Sequence, residues 1–590
     1  MKFKIKERDG PGRIGEIVLS EEKISSPNIF FIETKRLNPP DFSEIILTNN
    51  KNNNKAFLEI KREYFFPKDL PKEIFFSIEN KGKDYSIVPG DEQYIDDYKK
   101  EELQSLVIIS NAKQLYAQEK RFVDFIIKLK EKIGNERCIY FPRIANPKNI
   151  ALLSYLGIDL FDSLSSIISA RENTLQFSYS DYKIRDLIEL PCKCEFCNKK
   201  DAKKMSFNDI LNHNYLELYK EIKNVRNAIK NNNLRRLVEL RIKAEPNQTA
   251  ILRYLDNNYF EFLEKNTSMK NKNILIANNQ ESLFRPEIKR FQNRIAKYYN
   301  KPKSAKILLL LPCSSKKPYS FSKSHKFFRD RLLSSGNPFV VHELIITSPI
   351  GLVPRELELI YPASNYDIPV TGRWYEEEKK MIRELLKNYL KNNKYEKIIV
   401  HIPKEIQEFV NDLLKNTEIT CQDKARSEKS LNNLSNSLKE NTMNFKHVKS
   451  NIRLKEDLEN LSTFQFGKKI TETLFKDCRI KGKYPYLKIF EGDTQLGMIT
   501  KERGFISLTI DGAEKIGRAD NYWIDIFDDF KLEGSVFAPG VKNADEKIRS
   551  GDEVIVFQKN KISAVGVAQM NGCEMKELTY GEAVKVRHFV

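Results

Sequence analysis

Long apolar runs are missing from this 590-residue chain. Its aliphatic stretches are strand-sized, well short of the roughly 20 residues that a membrane-spanning helix needs. The opening MKFKIKERDG has no apolar core of the kind a signal peptide carries. A soluble, cytoplasmic protein is the expectation, with no membrane among its partners. Cysteine is scarce as well: eight residues are too few for a disulfide framework in a chain of this length. Acid is in deficit, 81 Asp and Glu against 100 Lys and Arg, leaving a net charge of +19 that favours a polyanionic partner such as nucleic acid. No internal repeat or heptad array is visible, so neither a solenoid nor a coiled coil is expected.

What the chain does have is apolar content for several cores, 40% of its residues, in a length that exceeds one core's normal reach. Residues 1–285 alternate short apolar runs (SLVIISN, RCIYFPRI) with helical patterns (LYAQEKRFVDFIIKLKEKIG), which predicts a parallel sheet and, over this length, a (β/α) barrel or an incomplete one. Three of the eight cysteines fall within six residues, Cys192, Cys194 and Cys197. With His213 downstream they make three thiolates and one imidazole, a closed tetrahedral set suited to structural zinc. Residues 286–455 read as a second α/β unit that ends in a polar, Asn/Ser/Lys-rich linker from about 421 to 460. Residues 456–515 read as a small α+β domain, and 516–590, with alternating apolar residues and Gly-bearing turns, as a small β-barrel.

The stretch with the most chemistry is KILLLLPCSSKKPYSFSKSH, residues 306–325. Ile307 to Leu311 suit a strand buried on both faces. A polar loop follows, and then a helix whose face is Phe327, Phe328, Leu332 and Leu333, with Gly336 as its stop. Strand, loop and helix in that order form the place where open α/β sheets bind ligands. Cys313 beside Lys316 and Lys317 would sit in a positive field that favours the nucleophilic thiolate. The plain reading of the same residues is a small buried thiol and a helix capped by Ser322 or Ser324. Farther on, Arg355, Glu356 and Asp367 supply charges suited to an amino acid's carboxylate and amine, or to turn chemistry alone.

Pro312-Cys313, then Lys317-Pro318-Tyr319, Ser322 and His325 at their spacing resemble the signature of archaeosine synthases, archaeal tRNA-modifying relatives of tRNA-guanine transglycosylase. The resemblance extends to the zinc loop and to the final segment, which is similar to a PUA domain, an RNA-gripping fold; residues 456–515 look like the small C2-like domain that precedes it. It implies Cys313, Lys317, Tyr319, Ser322 and His325 as catalytic residues. Lys542 and Arg587 are the candidates for phosphate contact. Gly157 to Asp162 resembles the strand end that carries the transglycosylase nucleophile, placing Asp162 there. Yet the base-gripping Asp-Ser-Gly turn is replaced by Ile109 to Gln114, which has no aspartate, and the run after Asp162 reads Ser163-Leu164-Ser165-Ser166. The reaction implied is addition of an amine donor, free lysine, to the nitrile of 7-cyano-7-deazaguanine in the tRNA D-loop, giving an amidine that a radical-SAM partner then processes. Base exchange by a transglycosylase and non-catalytic tRNA binding are the alternatives, and the sequence leaves monomer and homodimer both open.

Overall fold

Each apolar run in the first part of the chain becomes a strand of one parallel sheet, as its lack of alternation requires. The computed structural model describes residues 1–19, 22–48, 56–58, 82, 84–198 and 200–590. They divide into two compact units, residues 1–267 with 577–581, and 268–576 with 582–590. The first opens with an antiparallel sheet of Lys2–Asp9, Gly12–Leu19 and Glu22–Ser26. Seven strands follow: β1 (Asn28–Ile32), β2 (Ile45–Leu47), β3 (Ala56–Leu58), β4 (Tyr85–Pro89), β5 (Leu106–Ser110), β6 (Cys138–Tyr140) and β7 (Leu160–Asp162). They pair in the order β3-β2-β1-β7-β6-β5-β4, every pair parallel. Since β7 returns to pair with β1, the order is that of a barrel, broken only between β3 and β4 among the described residues. The helix Glu119–Ile133 packs Phe122, Phe125, Ile126, Leu129 and Ile133 inward at three- and four-residue spacing.

The break between units falls at Thr267, ahead of the expected boundary near 285. Met269, Leu275 and Ala277 belong to the second core, and Leu275–Ile276 pairs with Tyr366–Asp367. At the centre of this unit β8 (Ile307–Pro312), with Ile307 to Leu311 fully buried, is followed by helix α1 (Lys323–Leu333). Next come β9 (Val341–Thr347), β10 (Gly351–Pro354), β11 (Lys397–Val400) and β12 (Thr417–Ile419), in the order β10-β9-β8-β11-β12; β10 alone runs antiparallel. The chain therefore leaves β8 toward one edge through β9 and returns on its other side through β11. The C-terminal end of β8 lies at the switch point, where such sheets bind ligands. In α1 Phe328 and Leu332 face the core, whereas Leu333 is half exposed.

The expected linker is not one. Residues 428–442 form helix α2 (Glu428–Thr442) and residues 450–466 helix α3 (Ser450–Phe466). Leu431, Leu434 and Leu438 on the first, and Leu458, Leu461 and Phe464 on the second, are buried in the core. The apolar positions were at helical spacing; the Lys and Asn between them lie toward solvent, Ser430, Ser437 and Ser462 are buried beside the leucines, and Ser427 caps the first helix. The small domain then has four antiparallel strands, Arg479–Lys483, Tyr486–Glu491, Thr494–Ile499 and Ile506–Leu508, with helix Ile510–Ile516. The last sheet has six strands, and its two outermost members, Val536–Phe537 and Val541–Ala544, are joined through the turn Ala538–Gly540, giving a nearly closed barrel. No helix among the described residues is long and apolar enough to cross a membrane.

Candidate active site and metal cluster

The central strand β8 delivers Cys313 to the C-terminal edge of the sheet, half-buried. Thr347, the last residue of the neighbouring β9, and the Lys317 cation both favour its thiolate form. Burial nevertheless outweighs both and pushes the Cys313 thiol up from its ordinary range. The positive field expected from two lysines is thus reduced to one, because Lys316 is exposed. Lys317 is half-buried, with Nζ 3.9 Å from the centroid of the Tyr366 ring. Burial draws its ammonium down, while Cys313 and Asp367 oppose that shift. Tyr319 is fully buried beneath the loop, its hydroxyl 2.7 Å from that of Tyr366, which in turn reaches Thr347 Oγ1. Asp367, at the end of the short strand Tyr366–Asp367, is exposed and within electrostatic reach of Lys317.

Ser322 is the N-cap of α1, its hydroxyl accepting from the His325 amide at 3.2 Å. The helix start thereby fixes the His325 ring, which is buried with both nitrogens engaged. Nε2 donates to the Pro312 carbonyl at 3.0 Å and Nδ1 accepts from Arg355 at 2.8 Å. Burial, then the adjacent Arg355 charge, hold the ring neutral, its pKa well below the usual histidine value. Arg355 also pairs with Glu343 at 2.7 Å and Glu358 at 2.9 Å. Glu358 further accepts from the Ser320 amide at 3.0 Å and from the Tyr484 hydroxyl of the small domain. Glu356 is taken by Tyr299 and Asn460 and lies 3.3 Å from His342. The expected pair Arg355 and Glu356 is therefore committed within the protein, and neither side chain is presented at the cysteine loop.

Thr347, Tyr366, Glu343, Glu358 and Tyr484 were not read from the sequence as site residues. Thr347 ends an apolar strand just as Cys313 does, and Glu343 is a lone acid within the apolar run VHELIIT, so both carried a signal. Tyr484, 126 residues from Glu358, carried none.

In the first unit, the ligand atoms of Cys192, Cys194, Cys197 and His213 lie within 4.8 Å of one another. His213 sits in the helix Phe207–Lys230, where its Nε2 donates to the Gln176 carbonyl at 3.2 Å. Its Nδ1 is turned toward the thiols, 3.6 Å from Cys194 Sγ and 3.5 Å from Cys197 Sγ. Burial lowers its pKa to about 4. A neutral imidazole with one nitrogen fixed by a carbonyl and the other facing three thiols fits a metal ligand. Asp162, at the end of β7, is buried and fully engaged: it accepts from Tyr140 Oη and the Arg143 amide, each at 2.8 Å, and from the Leu164 amide at 2.9 Å. In the last domain Lys542 is exposed. Arg587, expected at a phosphate, donates instead to the buried Glu553 and to the Leu508 carbonyl.

Residues 91–247 match the family described as Queuine tRNA-ribosyltransferase, 288–438 a domain of unknown function (DUF5591), and 529–590 the PUA domain. "Archaeosine synthase subunit alpha" of Methanosarcina acetivorans is 36% identical over 502 residues, covering 82% of this chain and 79% of that protein. "Archaeosine synthase" of Haloferax volcanii is 35% identical over 82% of each chain. A "tRNA-guanine(15) transglycosylase" of Methanobrevibacter smithii is more distant, 27% identical over 79% of this chain and 69% of that one. With a transglycosylase-like domain and a PUA domain flanking the cysteine-bearing α/β domain, and with this identity over this coverage, the chain belongs to the archaeosine synthase family.

Proposed function

We propose that the protein modifies tRNA in archaeosine biosynthesis by adding the side-chain amine of free lysine to the nitrile of 7-cyano-7-deazaguanine in the D-loop. The observation that carries this is Cys313 at the C-terminal end of the central strand, with Lys317 and Thr347 beside it and the signature residues packed around it. A nitrile carbon is electrophilic, but the amine is mostly protonated at neutral pH. The Cys313 thiol passes its proton to the Lys317 amine and the sulfur attacks the nitrile carbon; a C–S bond forms as one C–N π bond opens, and the nitrogen takes that same proton back from Lys317, leaving a thioimidate. The lysine amine then adds to the same carbon. The C–S bond breaks, Lys317 takes the surplus ammonium proton, and an amidine remains on the base. Its lysine-derived C–N bond must be cut by a second activity, for which a radical-SAM protein is the proposed partner.

Lys317 is the general acid and base in this scheme because its ammonium is drawn down by burial. His325, whose nitrogens are both engaged, is a positioning residue that anchors the Pro312–Cys313 backbone. The bonds that occupy Asp162 speak against base exchange in the first unit. The Cys192, Cys194, Cys197 and His213 set is proposed to hold a structural zinc ion, since it offers four N and S ligands with no open position. Incubating the protein with nitrile-bearing tRNA and no lysine should trap a covalent adduct, visible as a mass shift and absent in Cys313→Ala. Wild-type turnover by Cys313→Ala would rule out the thiol as nucleophile.

A further inference from the structure

Behind the Arg355 network lies a cavity of about 230 Å³ enclosed by α1, α3 and the small domain. It is smaller than the roughly 300–1,000 Å³ of sites for drug-sized ligands, which suits a compound of amino-acid size. Leu332, Leu454, Leu458, Leu487 and Ile499 give it aliphatic walls. Its charges are arranged unequally. Inside are Glu343, Glu356 and Asp457 with only two guanidiniums, Arg355 and Arg453, and Arg355 is shared with the buried Glu358. With Arg329 counted, four carboxylates against three cations leave the site one positive charge short, which is costly where the groups are largely removed from water. The third cation, Arg329, lies at the exposed rim.

The surplus falls on Asp457. Although Arg453 Nε donates to it at 2.6 Å, burial and the nearby Glu356 raise its carboxyl to about 7. A bound cation would take the place of that proton. The inner wall is His325, whose ring bonds to the carbonyl just before Cys313.

We propose that this cavity is the binding site of the amine donor, a free amino acid with an unbranched aliphatic side chain ending in an ammonium group. Its carboxylate meets Arg329 at the rim, its methylenes lie along the leucines, and its terminal ammonium faces the inner carboxylates on the His325 side. The assignment rests on the reading above in taking the ligand to be the donor; the cavity's preference for such an amino acid follows from its walls and charges alone.

The test is calorimetric titration of the full-length protein with L-lysine, with and without tRNA, beside steady-state kinetics. Saturable binding is expected, at least tenfold weaker for norleucine, which lacks the terminal ammonium. Leu458→Trp, which fills the cavity, and Arg329→Ala, at the exposed rim where folding is not at stake, should each raise the KM for lysine at least fivefold and leave the KM for tRNA unchanged. Absence of saturable lysine binding by wild type under both conditions overturns the proposal. So does a lysine KM within twofold of wild type in both variants, which would leave the reaction itself standing. If wild type binds lysine and the variants do not, but no lysine is transferred to tRNA, the site is supported and the reaction reading fails.

Discussion

At Cys313 two effects oppose each other. Burial favours the neutral thiol, whereas Lys317 and the Thr347 hydrogen bond favour the thiolate, and burial prevails. Reactivity should therefore rise through a pH range above that of an ordinary thiol. Removing the cation with Lys317→Met should raise the apparent pKa further and slow alkylation by iodoacetamide about tenfold at fixed pH, one pKa unit. A pH–rate profile unchanged by the substitution would mean the two groups do not interact. Histidines show a different balance. His401 is fully buried, hydrogen-bonded to Thr420 and Ala425, and its pKa is lowered to about 4. The unfolded chain takes up this proton below about 6.5 and the folded one only below about 4, so stability present above pH 6.5 is lost as pH falls toward 4. The loss attributable to His401 is on the order of 3 kcal/mol, and urea unfolding of His401→Gln should show a shallower acid limb. None of this was legible beforehand. The signature gave His325 by type and spacing, but whether a histidine titrates depends on partners such as Arg355, 30 residues away.

At the scale of elements, apolar runs announced the strands reliably because a buried parallel strand has no polar face to hide its pattern. Ile307 to Leu311 and Leu106 to Ser110 are examples. The helices at 428–442 and 450–466 are hidden by composition: Ser, Asn and Lys dilute the apolar pattern, although Ser430, Ser437 and Ser462 are small enough to be buried beside the leucines. The grouping of three thiols and one imidazole was legible, since Cys192, Cys194 and Cys197 are close in sequence and His213 falls on the next helix. What the sequence did not reveal is the Gln176 carbonyl that orients the imidazole. If this cluster joins the loop to the helix Phe207–Lys230 through zinc, metal analysis should find one zinc per chain. Cys194→Ser should lower both zinc content and Tm, and chelation of wild type should reproduce that lower Tm. A Cys194→Ser protein with full zinc and unchanged Tm would exclude the site as a structural one.

Over the second unit as a whole, the central, small and PUA domains share one hydrophobic core. It runs from Leu309 through Phe464 and Leu487 to Ile555 and Val565. Gly504 shows how tightly the parts meet: its φ is +72° and a Cβ there would collide with the Leu359 carbonyl of the central domain. Glu553, with no exposed side-chain surface, pairs with Arg503 and Arg587 and accepts from the Leu508 amide. Deleting the PUA domain would therefore strip a core as well as an RNA-binding surface, and loss of RNA affinity in a truncated protein would have two causes. Single charge substitutions separate them. Arg587→Ala leaves Glu553 short of a buried partner, and the unfolding free energy should fall by about 3 kcal/mol, at the lower end for breaking such a pair because Arg503 remains. Lys542 is exposed and its removal should leave Tm unchanged. If Lys542 touches a phosphate, Lys542→Ala should weaken binding to all tRNAs alike and reduce the slope of log affinity against log salt by about one. Filter binding from low to moderate salt measures that slope. An unaltered slope in Lys542→Ala would remove it from the RNA surface, and an altered slope in a fully folded Arg587→Ala would return that arginine to it.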